Sequence, residues 1–323
     1  MIFSKASGLN DSIYGKSIDP IRFFLQQEEE AYKKSSQIDK VFNVITSDKY
    51  GEKFSEFTSK GDFEPVGEGG AYPRTSQQVG YEKLVEPDEW KNSFEVTETM
   101  IEDAKMFDVK AAAKDFSLSY ARTREKFAAL FLQYGNSATA VFKGKTYDIT
   151  CRDGLPLFYA AHTSKTGGTG TQGNLDTLVF SYDNLAIVEE RMQKFTDHDG
   201  NLLNIQPDTI VIPNNAAIKK LVADVVFTSS GKPGTTDHSF NFHGERWNVV
   251  VWNQLGRLAA ANDPWFVCDS KRNQIDGLIW IDRVELSVRT WIDDNNGNNV
   301  WGGRARFGAA PVNWTAWYGC FPA

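Results

Sequence analysis

Cysteine is scarce in this chain. There are three, Cys151, Cys268 and Cys320, far apart and without a C-x-x-C spacing. An odd, scattered set builds neither a disulfide framework nor a zinc knuckle, and reads as free thiols in a reducing compartment. Long apolar runs are missing too. Nothing approaches the roughly 18 apolar residues that mark a membrane-spanning helix. The opening MIFSKASGLNDSIYGKS has no apolar centre of the kind a secretory signal carries. Basic charge is in deficit: 35 Lys and Arg stand against 42 Asp and Glu, for a net charge of −7. That balance argues against a protein whose main work is gripping phosphate backbones.

Catalytic signatures are equally thin. The sequence has no H-E-x-x-H and no G-x-S-x-G. Its histidines are His162, His198, His238 and His243. His162 reads as a polar residue at the edge of a loop. TDHDGN around His198 fails the calcium-loop register, because Leu202 and Asp208 stand where Gly and Glu belong, and it reads as an Asp-Gly turn. His238 and His243 lack a carboxylate at metalloprotease spacing, so a loop is the better reading than a zinc site. GGTGTQGN, residues 167–174, does match G-x-G-x-x-G through Gly168, Gly170 and Gly173. A dinucleotide turn needs a strand running into the first glycine and a helix opening at the third. Here HTSKT separates the apolar LFYAA from the glycines, and the next helix cap comes only near Ser181. A phosphate would have no helix N-terminus to sit on. The stretch 163–174 therefore reads as a surface loop, no cofactor is expected, and the chain is not expected to be an enzyme.

What is present is apolar and aromatic residue in quantity. Hydrophobic residues make up 41% and aromatics 13%, with 22 Phe and 9 Trp, enough for a substantial core within 323 residues. Residues 1–18 are polar and glycine-dotted and read as a loose arm. Asp19-Pro20 predicts a helix start, with Asp as cap and Pro at the first helical position, continuing through IRFFLQQEEEAYKKSSQIDKVF. Residues 41–97 read as a long hairpin, with Gly61, Gly67, Gly69, Gly70 and Pro73 near its tip. It has too few apolar residues to bury itself, and a lone two-stranded ribbon is marginal in water. Thr99 and Glu102 form a capping box, and 100–134 then runs without Gly or Pro to Gly135. That predicts a helical rod of roughly 50 Å, whose core face carries Ile101, Ala104, Val109, Ala112, Phe116, Tyr120, Phe127, Leu130 and Phe131.

Beyond it come a helix capped near Ser181 with Leu185, Val188 and Met192 inward, and a buried strand at 208–213. A helix capped by Asn214 or Asn215 follows, with Ile218, Leu221, Val222 and Val225 inward, and then a strand in RWNVVVWN. The last third is β. LIWIDRVELSVRTWI alternates, with Val284, Leu286, Val288 and Thr290 on one face. DDNNGNN is a turn-forming loop and VWGGRARFGAAPVNWTAWYGC a final strand set. The arm and the hairpin cannot satisfy themselves within one chain, which is the profile of an assembly subunit.

This order of elements resembles the major capsid proteins of tailed bacteriophages with the HK97 fold, in particular the branch typified by the head protein of phage Mu. The likeness runs over nearly the whole chain. DGLPLFYAAHTSKTGGTGTQGNLDTL is similar to a DG-LF-H segment followed by a Gly-Thr loop, and PDTIVIPNNAAIKKLVADV to a strand-Pro-helix unit of the A-domain. DRVELSVRTWIDDNNGNNVWGGRARFGAAPVNWTAW resembles paired P-domain strands flanking a P-loop.

The resemblance implies an α+β, HK97-like capsid fold. Its parts would be an N-terminal arm and helix at 1–40, an extended E-loop at 41–97 and a P-domain at 98–182 with the spine helix at 100–134. An A-domain would follow at 183–275 and P-domain return strands at 276–323. It implies self-assembly into pentamers and hexamers of an icosahedral shell around double-stranded DNA, in a virion assembled in the bacterial host cytoplasm. The partners it implies are other copies of the chain, a separate scaffolding protein, a portal and the packaged DNA, with no membrane. The hairpin tip 63–75, with Phe63, Pro65, Tyr72 and Arg74, is expected to contact a neighbouring subunit, and Arg304 and Arg306 to reach a neighbour's carboxylates. Rival expectations are a cellular nanocompartment of the same fold, a tail or baseplate protein, or a nucleotide-binding enzyme using 167–174.

Some members of the family cross-link covalently, joining an E-loop Lys to a P-loop Asn beside a Glu. Lys53 or Lys60 and Asn295, Asn296, Asn298 or Asn299 are present here, but no Glu follows Glu285 and only Asp293 and Asp294 are near in sequence. A protonated amine attacks an amide poorly without a buried base, so a shell without isopeptide bonds is expected. For the glycine loop, changing Gly168 and Gly170 together to Ala is expected to leave assembly nearly intact. Saturable nucleotide binding that vanishes in that variant would contradict this reading.

Overall fold

The computed structural model describes residues 2–3, 13–57, 63–74, 79–97, 99–100, 103, 106–163, 170–228, 241–255 and 263–322. Two five-stranded sheets organise them. The first is built on one long antiparallel pair, Leu278–Ile292 with Asn299–Pro311. Its register runs from Leu278 opposite Pro311 to Ile292 opposite Asn299. The alternation in VELSVRTWI sets the faces: Leu286, Val288 and Thr290 are buried and Glu285, Arg289 and Trp291 are exposed. The DDNNGN turn closes the pair as the turn-formers require, with Gly297 at φ 70° and Gly297 N–H donating to Asp293 O at 2.8 Å.

Asp88–Val96 adds antiparallel to Asn299–Pro311. On the other side, Asn43–Thr46 and Ile2–Phe3 both lie parallel to Leu278–Ile292. The predicted hairpin at 41–97 is therefore shorter than its sequence pattern. Its two outer strands belong to the sheet, and only Glu52–Phe57 with Val79–Val85 forms a free ribbon.

The long helix, Met106–Gln133, lies across this sheet. Val109, Phe116, Phe127, Leu130 and Phe131 are buried as the periodicity predicts, while Ile101, Ala104 and Glu102 lie outside the described residues. Ahead of it the Thr97 hydroxyl accepts the Met100 N–H at 3.3 Å; the expected Thr99–Glu102 capping box involves a residue outside the described ones. Gly135 follows its last turn, and a Cβ there would sit 2.6 Å from the Phe158 ring. Beneath the helix Trp280 and Phe307 stack, and Phe127 of the helix meets them edge-on and tilted.

The clamp between helix and sheet is Arg124. Its guanidinium meets Asp282 through two parallel bonds of 2.8 and 2.9 Å, at a register shift in the long strand. It also lies 4.9 Å from the Trp280 ring centroid. One helical position on, Glu125 accepts from Ser36 Oγ at 2.7 Å and Trp252 Nε1 at 2.7 Å. This ties the first helix and the second sheet to the same rod.

The first helix runs Ile13–Ser35, so it begins before Asp19-Pro20. Proline costs one backbone hydrogen bond there, but the φ it imposes is itself helical. The helix also stops sooner than expected, and Ile38–Val41 forms a separate turn.

The second sheet runs Leu175–Asp176, Trp317–Cys320, Trp265–Cys268, Thr209–Pro213 and Asn248–Trp252. Two helices cover one of its faces. Ser181 caps Tyr182–Gln193 and Asn215 caps Ala216–Val226, each accepting a backbone N–H. Leu221, expected inward, is 46% exposed, because the stripe is carried by Ile218, Val222, Val225 and Val226 and Leu221 falls at its margin.

Removing one partner of a buried ion pair leaves the other charge uncompensated, at a cost of about 3 kcal/mol or more. Arg124→Met is therefore expected to lower unfolding stability by about that much in chemical denaturation. A loss below about 1 kcal/mol, the range of an exposed pair, would remove Arg124 from this role.

Candidate functional site

The feature that no internal contact explains is the ribbon. Its foot is firmly set. Phe54 and Val85 pack onto Ile279, Ile281, Ala310 and Val312 at one end of the long strand pair. Gly308 permits the backbone of Glu86 and Pro87 to pass close, since a Cβ there would lie 3.0 Å from Pro87 Cα. The buried Lys83 amine donates to the Thr150 carbonyl and lies 3.4 Å from Asp148. Glu56 sits 3.2 Å from His198 Nε2 and 3.8 Å from Arg152, which is itself held by Asp276 at 2.7 Å. Glu56, Arg152 and His198 line a cleft of about 330 Å³ beside the ribbon.

Lys53 pairs with Glu82 across the ribbon at 2.6 Å. Burial ends in the segment 63–74. Residues 63–74 have no strand or helix; one turn closes through Gly70 N–H to Gly67 O at 2.9 Å, with Gly69 at φ 76°. Phe63 is 106% exposed and Tyr72 93%. Pro65 and Arg74 are exposed beside them. The structure thus brings four of the expected contact residues into one unburied tip; Thr75 and Lys60 lie outside the described residues.

Arg304 and Arg306 are elsewhere, on the long strand, and both have partners in their own chain. Arg304 pairs with Glu89, and that hydrogen bond holds the Glu89 carboxyl below its usual range. Arg306 donates to the Pro87 carbonyl at 3.4 Å. For Arg304 a carboxylate is thus already at hand on the adjacent strand of its own chain.

The three described histidines all have partners within the chain. His162 is not a loop-edge residue but 2% exposed. Its Nδ1 lies 2.6 Å from Asp153, its Nε2 3.2 Å from Asn174 Oδ1, and its ring stacks on Trp314 at 4.4 Å. His198 sits in the expected Asp-Gly turn, where Gly200 has φ 90°. His243 is buried and accepts from Trp247 Nε1 at 3.3 Å, and burial lowers its pKa. His238 lies outside the described residues.

Gly173 also has a packing role, since a Cβ would fall 2.4 Å from the Ala160 carbonyl oxygen. The next element after it is the strand Leu175–Asp176, not a helix. Gly168 lies outside the described residues. Among the described residues no group of three His, Cys, Asp or Glu side chains is placed to hold a metal ion, and no helix is long and apolar enough to cross a membrane.

A Glu does stand beside the Asn-rich turn: Glu95, from the edge strand, accepts from Asn298 Nδ2 at 3.2 Å. Sequence proximity missed it because the two residues are 203 positions apart. Glu95 is exposed, however, and a solvated carboxylate does not provide the apolar pocket that would lower a lysine pKa.

A family model described as phage capsid protein matches residues 80–319. No curated protein sequence matches the chain. Among solved structures, the capsid of an empty GTA particle aligns at 12% identity and TM-score 0.54, over 90% of this chain and 90% of that one. The capsid of the cyanophage P-SCSP1u aligns at 12% identity and TM-score 0.52, over 88% and 86%. The capsid of Myoviridae phage XM1 aligns at 11% identity and TM-score 0.52, over 89% and 92%. Identities this low speak for the fold.

With Glu95 in water, assembled particles boiled in detergent are expected to run as single chains on a denaturing gel. A ladder of oligomers that survives reductant would contradict this.

Proposed function

The chain belongs to the phage capsid protein family, and from that premise we propose how this major capsid protein, with its HK97-like fold, builds a shell. The observation that carries the proposal is a ribbon fixed at its foot and unburied at its tip. A lever anchored through Lys83, Glu56 and the Phe54–Val85 cluster keeps one direction, so the tip is delivered to a defined place on another copy. Fully exposed Phe63 and Tyr72 are costly in water, and their burial against a neighbour favours association.

In this reading 1–40 is the N-terminal arm with its helix and 41–97 the E-loop, of which Glu52–Phe57 and Val79–Val85 form the free ribbon. Residues 98–182 and 276–323 form the P-domain around the spine helix and the long strand pair, and 183–275 the A-domain around the second sheet. Copies gather as pentamers and hexamers of an icosahedral head, with a separate scaffolding protein and a portal, in the host cytoplasm. Double-stranded DNA fills the interior. The net charge of −7 suits a wall along which a polyanion slides without adhering.

Size exclusion and electron microscopy of the full chain, assembled with its scaffold, test this. Closed shells are expected. Deleting 63–75 is expected to leave a folded subunit that does not assemble. A chain that stays monomeric under all conditions, or shells formed at normal yield without the tip, would overturn the proposal.

A further inference from the structure

The stretch 241–247 leads into Asn248–Trp252, an edge strand of the second sheet, and carries a histidine with no part in the ribbon or the platform. Its backbone is pinned. Asn241, fully buried, donates to the carbonyls of Val225 and Thr228 at 2.8 and 2.6 Å and accepts the His243 N–H at 3.0 Å. Glu245 holds φ 57°, a left-handed conformation imposed by its surroundings and not by its side chain. The imidazole of His243 is fully buried, with the rings of Tyr182 at 4.8 Å and Phe242 at 5.0 Å edge-on around it.

The polar atoms around this ring are unevenly matched. Nδ1 accepts from Trp247 Nε1 at 3.3 Å, which requires a bare nitrogen, so the neutral ring carries its proton on Nε2. That buried Nε2 has no hydrogen-bond partner among the described residues. Glu189, on the helix Tyr182–Gln193, shows the converse. Its Oε1 accepts from Arg246 at 2.8 Å. Its buried Oε2 has no hydrogen-bond partner among the described residues and lies 4.0 Å from His243 Nδ1. One ring nitrogen thus faces both an indole donor and an unused carboxylate oxygen. Bare, it serves the first; protonated, it serves the second.

We propose that His243 is a proton-operated switch between Trp247, at the entry to the edge strand, and Glu189 on the covering helix. With the ring neutral, the indole is tied to Nδ1 and the strand entry is held. When the ring takes up a proton, Nδ1 becomes a donor. The indole N–H loses its acceptor, the ring closes on Glu189 Oε2, and Trp247 is released. The charged and titratable groups facing the ring are Tyr182, Asp183 and Glu189 from the helix and Arg246 from its own segment. Burial is the largest influence and pushes the imidazole below its ordinary value; Glu189 opposes this and Arg246 adds to it. The folded chain therefore binds fewer protons here than the unfolded one. The tie is complete above about pH 6.5 and is lost as pH falls through the depressed folded value. Arg246, held by Glu189, lies over the half-exposed Phe242 ring at 4.3 Å, so the same carboxylate links the switch to the surface.

Nitrogen NMR of imidazole and indole side chains in free subunits of the full chain reads both partners directly. His243→Gln and Trp247→Phe assign the two signals. Neutral His243 is expected to carry its proton on Nε2 and to titrate with a midpoint below about 6.5, the Trp247 indole signal moving at the same midpoint. In His243→Gln, whose amide oxygen still accepts from the indole, the Trp247 signal is expected to stay fixed between about pH 8 and about pH 5. Glu189→Gln removes the second partner, so the His243 midpoint is expected to fall further. A midpoint at or above the ordinary histidine value, an indole signal that does not follow it, or a midpoint unmoved by Glu189→Gln would each overturn the proposal. Should a variant fail to fold, the titration of the unaltered chain decides alone.

Discussion

The bidentate pairing of Arg124 with Asp282 is the constraint on which the platform depends. It joins the middle of the long helix to the long strand at the point where that strand's register shifts. A strand of 15 residues would otherwise be free to twist against the helix. The guanidinium also lies over Trp280 and near Phe307, whose rings stack at 5.2 Å, so the ion pair and the aromatic core hold each other in place. Glu125, the next residue, gathers the end of the first helix and Trp252. Two adjacent charges on one rod thus fix an amino-terminal helix, one sheet and the edge of a second.

A platform of that stiffness explains how a ribbon with little core of its own is aimed. Its foot is bound by a small apolar cluster, a buried lysine amine and a glutamate shared between His198 and Arg152. At its tip, 63–74, the described residues show one glycine turn. Burial falls from foot to tip, and what is left unburied there is aromatic and acidic. A shell subunit needs that division: a body that folds alone and an arm whose apolar surface is completed by another copy.

Much of this was legible in the sequence where the signal is local. Ser181 and Asn215 cap the helices they were expected to cap, and the alternation in VELSVRTWI sorts buried from exposed residues. The start of the first helix was not, because Asp19-Pro20 carries a strong start signal that six earlier helical residues override. The hairpin was overdrawn because a sheet-bound strand and a free one share the same alternation, and only pairing with the long strands separates them. His162 looked like a loop residue because its partners, Asp153, Asn174 and Trp314, assemble only in the fold. Glu95 beside Asn298 and Arg304 on Glu89 are likewise strand-to-strand contacts invisible in linear order. Gly135 and Gly173 were read for turn chemistry, whereas the space beside each is what forbids a side chain.

The central claim is that the ribbon tip is open in the single chain and closed by a neighbour in the shell. Hydrogen–deuterium exchange of the tip amides, 63–74, tests it most directly when free subunits are compared with assembled particles. The account predicts fast exchange in the subunit and strong protection in the particle, while the amides under the long helix stay slow in both. Tip amides that exchange equally fast in both states would contradict it.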